Sequence, residues 1–100
     1  MIPFMSDRKA APDRDLLLQS HTFPGQYIIK AFGPAESTFE THAKRCATGV
    51  VGEDRVTAHT KFSSGGRRSC VTLTLHAENV EDVISTYERL HELDSLLLIL

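Results

Sequence analysis

Histidine and cysteine are the side chains in this chain that could bind a metal, carry a proton or act as a nucleophile near neutral pH. Alternation along two strand-like runs puts His59, Cys70 and His76 on one solvent-facing side, and we expect the two histidines to be neighbours across a hairpin. A regulatory metal site is one interpretation of this group. The separations follow no short zinc motif, so we interpret the group as solvated surface and predict no metal and no cofactor.

Nucleophilic catalysis needs a cysteine or serine beside a base and an oxyanion donor, and the chain contains no glycine-framed nucleophile turn. Cys46 lies on the apolar stripe of a predicted helix, where a thiol behaves as a small core hydrophobe. Cys70 has no second cysteine predicted near it. The other histidines, His21, His42 and His91, occupy separate tail or helix positions. We therefore predict no catalytic residues.

The turn between the first predicted strand and the first predicted helix is a candidate ligand site. The turn formed by Gly33, Pro34, Ala35 and Glu36 could present backbone N–H groups to a carboxylate or phosphate, because it precedes a helix N-terminus. The structural alternative is that Gly33 supplies a permissive turn and Pro34 a favourable helix start. We favour that alternative, since the carboxylate of Glu36 would repel an anion.

A basic hairpin is the candidate nucleic-acid site. Lys61, Arg67 and Arg68 could attract phosphates, and a four-stranded sheet open on one face is typical of RNA-recognition modules. The stacking aromatics of such modules are missing, because the strand begins Gly66-Arg67-Arg68-Ser69. The net charge of -2 also disfavours nucleic acid as a partner. RNA binding is therefore a minor alternative to a solubilising role.

Length and composition place these residues in one small domain. With 100 residues, of which 41% are hydrophobic, the chain has one core. We predict a mobile tail over residues 1–22, with a short docking turn at Leu16-Leu17-Leu18, and a folded domain over residues 23–100. Two cysteines indicate a reduced, cytoplasmic setting rather than a disulfide scaffold. No apolar run is long enough for a signal peptide or a membrane span.

Periodicity predicts six elements in the order strand, helix, strand, strand, helix, strand. The first helix has an apolar stripe at Phe39, Ala43, Cys46 and Val50, and the second begins at the N-cap Asn79 and ends near residue 92. The predicted strands are 26–32, 55–63, 70–77 and 96–100. This order predicts an α+β fold, the ferredoxin-like βαββαβ sandwich, with two helices on one face of a four-stranded antiparallel sheet.

The last predicted strand has no polar side. Its residues are Leu96, Leu97, Leu98, Ile99 and Leu100. Near a sheet edge such a strand needs a cover, which either the tail leucines or another molecule provides. We favour a homodimer that uses these five residues as its interface, because the three tail leucines offer only a small cover.

Several segments, in this order, resemble the YbeD-like family of small, functionally uncharacterised bacterial proteins. The resemblance covers residues 23–100 and departs at Arg68, where relatives tend to carry an aromatic residue. The segments that carry it are Phe23-Pro24, Ile29-Lys30-Ala31-Phe32-Gly33, Ser63-Ser64-Gly65-Gly66, Ser69-Cys70-Val71-Thr72-Leu73-Thr74, and Tyr87-Glu88 with the closing Leu100.

That resemblance implies a ferredoxin-like fold similar to the ACT domains that sense small molecules in metabolic enzymes, with ligand contact at the Gly33 turn. We accordingly expect a non-enzymatic regulatory or protein-interaction module that acts as a homodimer, with a metabolic enzyme as a further partner and no membrane contact. The alternatives are a sensor of amino acids or anions at a subunit interface and a weak RNA-binding module.

Overall fold

The structure of the chain is a computed structural model that describes residues 12–63 and 65–100. Its sheet is antiparallel with the strand order β2-β3-β1-β4, so β1 and β3 are central and β2 and β4 are the edges. This confirms the predicted ferredoxin-like α+β fold. The elements are α1 (Arg14–Ser20), β1 (Gly25–Pro34), α2 (Ser37–Val51), a 3-10 turn (Glu53–Arg55), β2 (Val56–Phe62), β3 (Arg68–Ala77), α3 (Val80–His91) and β4 (Leu98–Ile99).

The core lies between the helices and one face of the sheet. Alternate residues of each central strand point into it, because side chains along a strand alternate between the two faces. On α3 the predicted N-cap is confirmed, since Asn79 Oδ1 accepts the backbone N–H of Asp82 at 3.2 Å. Fully buried core residues include Ile29, Ala31, Val71, Leu73, Leu75, Ala43, Ala47, Val83 and Leu90.

Two residues predicted in the core are less buried than expected: Cys46 packs only partly against the core, and Phe62 is exposed. Ala47, not Cys46, continues the buried stripe of α2 after Phe39 and Ala43, so Cys46 is only half-buried at the helix rim. Phe62 was expected on the buried side of β2, but 61% of it is exposed. It ends an edge strand at the hairpin, where only β3 pairs with β2.

The segment before β1 forms a helix rather than a turn. Asp13 caps α1 by accepting the N–H of Asp15 at 2.9 Å, and Leu17 is buried in the core. The helix packs against α3, where Arg14 forms an ion pair with Glu81. The tail leucines thus belong to the helix layer and do not cover β4. Residues 1–11 of the predicted tail lie outside the described residues.

None of the helices in the described part of the chain is both long enough and apolar enough to cross a membrane. The longest of them, α2, spans 15 residues, and its C-cap is Gly52. The φ angle of Gly52 is 96°, a left-handed conformation that favours glycine at a helix end.

Candidate association surfaces

The side of the sheet that faces away from the helices is open. Register pairing arranges its residues in rows across the strands: Lys30 lies beside Thr72, which lies beside His59. The sequence prediction assigned faces for β2 and β3 only, although the alternation of β1 carries the same signal. By alternation the open face consists of Gln26, Ile28, Lys30 and Phe32 from β1, Thr57, His59 and Lys61 from β2, Arg68, Cys70, Thr72, Thr74 and His76 from β3, and Leu98 from β4.

Three leucines at the β4 edge form an apolar surface, which we call the leucine edge. The exposed fractions of Leu97, Leu98 and Leu100 are 54%, 53% and 63%. Of the five residues predicted as an interface, the other two point inward: Leu96 is buried and Ile99 packs against the core. These two residues therefore face the core, because β4 uses one of its sides to close it.

The position of the leucine edge is fixed by backbone hydrogen bonds to β1. Leu97 N–H donates to the Phe32 carbonyl at 2.8 Å, while Leu100 exchanges two bonds with Lys30, at 2.8 and 3.0 Å. From the helix layer, the Tyr87 hydroxyl donates to the Leu100 carbonyl at 3.4 Å. Burial and the hydrogen bond with Tyr27 raise the pKa of Tyr87 well above its usual range, which keeps this donor protonated.

A second surface on the open face is basic, and we call it the basic face. It consists of Lys30, His59, Lys61 and Arg68, all exposed. The four strands together contain three cations and no aspartate or glutamate, so every acidic residue that the structure describes lies in a helix or a connecting segment. The sheet and the helix layer therefore differ in the sign of their charge.

The histidine pair expected on this face does not form. His59 pairs with Thr72, while His76 pairs with Gln26 and lies four residues further along β3, a separation of about 13 Å. The pairing of β2 with β3 places Thr57, not His59, opposite Thr74, which is the open-face residue of β3 next to His76. Within residues 12–63 and 65–100, no cluster of three or more His, Cys, Asp or Glu side chains could hold a metal ion.

Internal contacts occupy the turn predicted as a ligand site. A Cβ atom on Gly33 would lie 2.5 Å from the Phe39 ring, so the ring fills the space above this glycine. Glu36 N–H donates to the Pro34 carbonyl at 2.8 Å, and Ser69 Oγ donates to the same carbonyl at 2.8 Å. The N–H of the intervening residue, Ala35, donates to the Arg67 carbonyl at 3.3 Å. These N–H groups are engaged within the fold.

A groove on the helix layer contains one of the two cysteines, Cys46. The Cys46 thiol lies 3.6 Å from the Arg89 carbonyl, in a groove of about 320 Å³ that His42 also lines. Burial raises the pKa of this thiol above its ordinary value, more than the nearby Arg89 guanidinium lowers it. A thiol that stays protonated is a poor nucleophile. The groove therefore lacks the activated cysteine that a catalytic site of this kind requires.

A sheet covered by helices on one face, with an apolar edge and a basic open face, defines a small ferredoxin-like α+β domain. The chain belongs to the family described as "Protein of unknown function (DUF493)", whose sequence model matches residues 19–100. The YbeD-like proteins belong to the same family, so the expected membership of an uncharacterised small-protein family is confirmed. No curated protein shows significant similarity to the chain.

Proposed function

We propose that this protein is a non-catalytic interaction module that acts as a homodimer through its leucine edge. One observation carries the proposal: Leu97, Leu98 and Leu100, which lie in or directly beside the edge strand β4, are each more than half exposed. Clustered apolar surface of this kind marks interaction sites, because its removal from water is favourable by about 25 cal/mol per Å².

The position of β4 suits a second copy. Among the described residues it pairs with β1 on one side only, so its other side can receive an identical edge related by a two-fold axis. In such an interface both subunits contribute the same residues, and each leucine edge covers the other. From the family resemblance we further propose a regulatory role in the cytoplasm, with a metabolic enzyme as the regulated partner.

Two other functions predicted from the sequence have weaker support. A sensor of amino acids or anions at Gly33, Pro34 and Glu36 would have to displace the contacts of Phe39 and Ser69. RNA binding through the basic hairpin is supported by the exposure of its arginines. It is opposed by the central strand, whose open side presents Cys70, Thr72 and Thr74 in place of stacking aromatics.

Light scattering over a wide range of protein concentration tests the homodimer. The natural chain is expected to have the mass of a dimer at high concentration, and Leu98→Ser with Leu100→Ser to have that of a monomer. Leu16→Ser with Leu18→Ser is the matched control, because these leucines are 59% and 51% exposed but lie on α1. A natural chain that stays monomeric throughout contradicts the proposal, as does equal dissociation of both variants.

A further inference from the structure

The distribution of charge over the two layers is not accounted for by dimerisation at the leucine edge. The chain carries a net charge of -2, yet its strands hold Lys30, Lys61 and Arg68 and no acidic side chain. Ion pairs that neutralise cations within the fold occur elsewhere, between Arg14 and Glu81 and between Arg55 and Glu78.

The side chains of the basic face differ in length, which gives this surface a relief. Along its middle, β3 presents the small, partly buried side chains of Cys70 and Thr72. On either side the neighbouring strands present long exposed side chains: Lys61 pairs with Cys70 from β2, and Lys30 pairs with Thr72 from β1. The strands that carry the two lysines are separated by one strand, or about 10 Å between their backbones. The result is a shallow trough along β3 with a cation on each side.

We propose that this trough binds an acidic segment of a partner protein, which lies along β3 with its carboxylates toward Lys30 and Lys61. The proposal rests on the interaction-module function above, but it uses residues other than the leucine edge. Complementary charge accelerates association and fixes orientation, and ammonium groups form charge-assisted hydrogen bonds with carboxylates. The Thr72 hydroxyl at the floor can donate to or accept from the segment.

Two other occupants fit the trough less well. Single-stranded nucleic acid needs aromatic faces on which bases stack. The floor offers a thiol and hydroxyls, and among the described residues only the rings of Phe32 and His59 lie beside it. A second copy docked face to face would bring the same lysines together, and like charges across an interface are unfavourable. An acidic protein segment pairs its carboxylates with the lysines and needs no aromatic surface for stacking.

The test uses the full chain and a fluorescent polyglutamate peptide, with binding followed by anisotropy at low and at physiological salt. We expect binding that weakens with salt, because exposed charges are screened. Lys30→Glu with Lys61→Glu should weaken it on the order of tenfold, since two attractions become repulsions. Arg45→Glu with Arg89→Glu is the charge-matched control, because it also reverses two cations and both arginines are exposed in the helix layer. It should leave affinity within about twofold.

Three results would overturn the proposal: no polyglutamate binding at low salt, an equal loss in the control with Arg45→Glu and Arg89→Glu, or tighter binding of a polyuridine oligonucleotide than of polyglutamate. The last would assign the trough to nucleic acid. The variant Leu98→Ser with Leu100→Ser separates the two proposals. It should lose the dimer and keep peptide binding, so failure of the homodimer and failure of the basic face give different results.

Discussion

Leu73 and Thr72 are neighbours on β3, yet they belong to two regions with opposite tasks. Leu73 points into the core and is fully buried, whereas Thr72 lies on the open face between Lys30 and His59. Helices pack apolar side chains against the face of β3 that carries Leu73. The face that carries Thr72 has charged side chains beside it and is not covered by the described helices. One strand can thus contribute to stability through one face and leave its other face available for binding.

Substitution at these neighbours gives the largest expected contrast. Leu73→Ala should lower the free energy of unfolding by about 2 to 5 kcal/mol, because it leaves a cavity in a packed core. Thr72→Ala should lower it by less than about 1 kcal/mol, since the side chain is partly solvated. Urea denaturation of both variants measures the difference. Similar losses at the two positions would show that the open face is packed in solution.

A smaller effect is expected where the core meets the predicted ligand turn. Gly33→Ala should destabilise the fold by about 1 to 3 kcal/mol, because the new Cβ would overlap the Phe39 ring and force it to shift. Gly65→Ala is the matched control, since nothing lies within 4 Å of its Cβ position. Thermal melting compares the two. An unchanged melting temperature for Gly33→Ala would show that the ring leaves the turn free.

The smallest effect concerns the hydrogen-bonded hydroxyl of Tyr87, whose contribution to stability changes only at alkaline pH. The pKa of Tyr87 is raised in the folded state, so an unfolded tyrosine ionises first, near its ordinary value of 10.0. The contribution of Tyr87 to stability is therefore complete below about pH 10 and is lost as the pH rises further. The loss should approach 1.4 kcal/mol per pH unit, and Tyr87→Phe should abolish it. Urea denaturation as a function of pH would show this, whereas identical slopes in both proteins would contradict it.

Sequence patterns predicted the fold because most of its elements carry a clear period, although the apolar run 96–100 that contains β4 has none. Alternation in β2 and β3, the N-cap Asn79 and the apolar spacing of α3 all agree with the structure. On α2 the predicted apolar stripe is wrong at Cys46, because Ala47, one position later, is the residue that is buried. Alanine is small and common on helix surfaces, so its type alone did not identify it as core.

The candidate surfaces were predicted less completely, because they depend on register. The run of apolar residues 96–100 indicated an association surface, but which of them face outward follows from their pairing with Phe32 and Lys30. The basic face combines residues from β1, β2 and β3 that are far apart in the chain. Only the strand order β2-β3-β1 places Lys61 and Lys30 on either side of the same trough.

In this interpretation the leucine edge and the basic face are two separate binding surfaces. The decisive experiment measures mass and polyglutamate affinity on the same samples of three proteins. The natural chain should form a dimer and bind the peptide. The variant Leu98→Ser with Leu100→Ser should bind the peptide as a monomer. The variant Lys30→Glu with Lys61→Glu should form the dimer but bind the peptide weakly. If either double variant loses both properties while remaining folded, the two surfaces are one and the account is wrong.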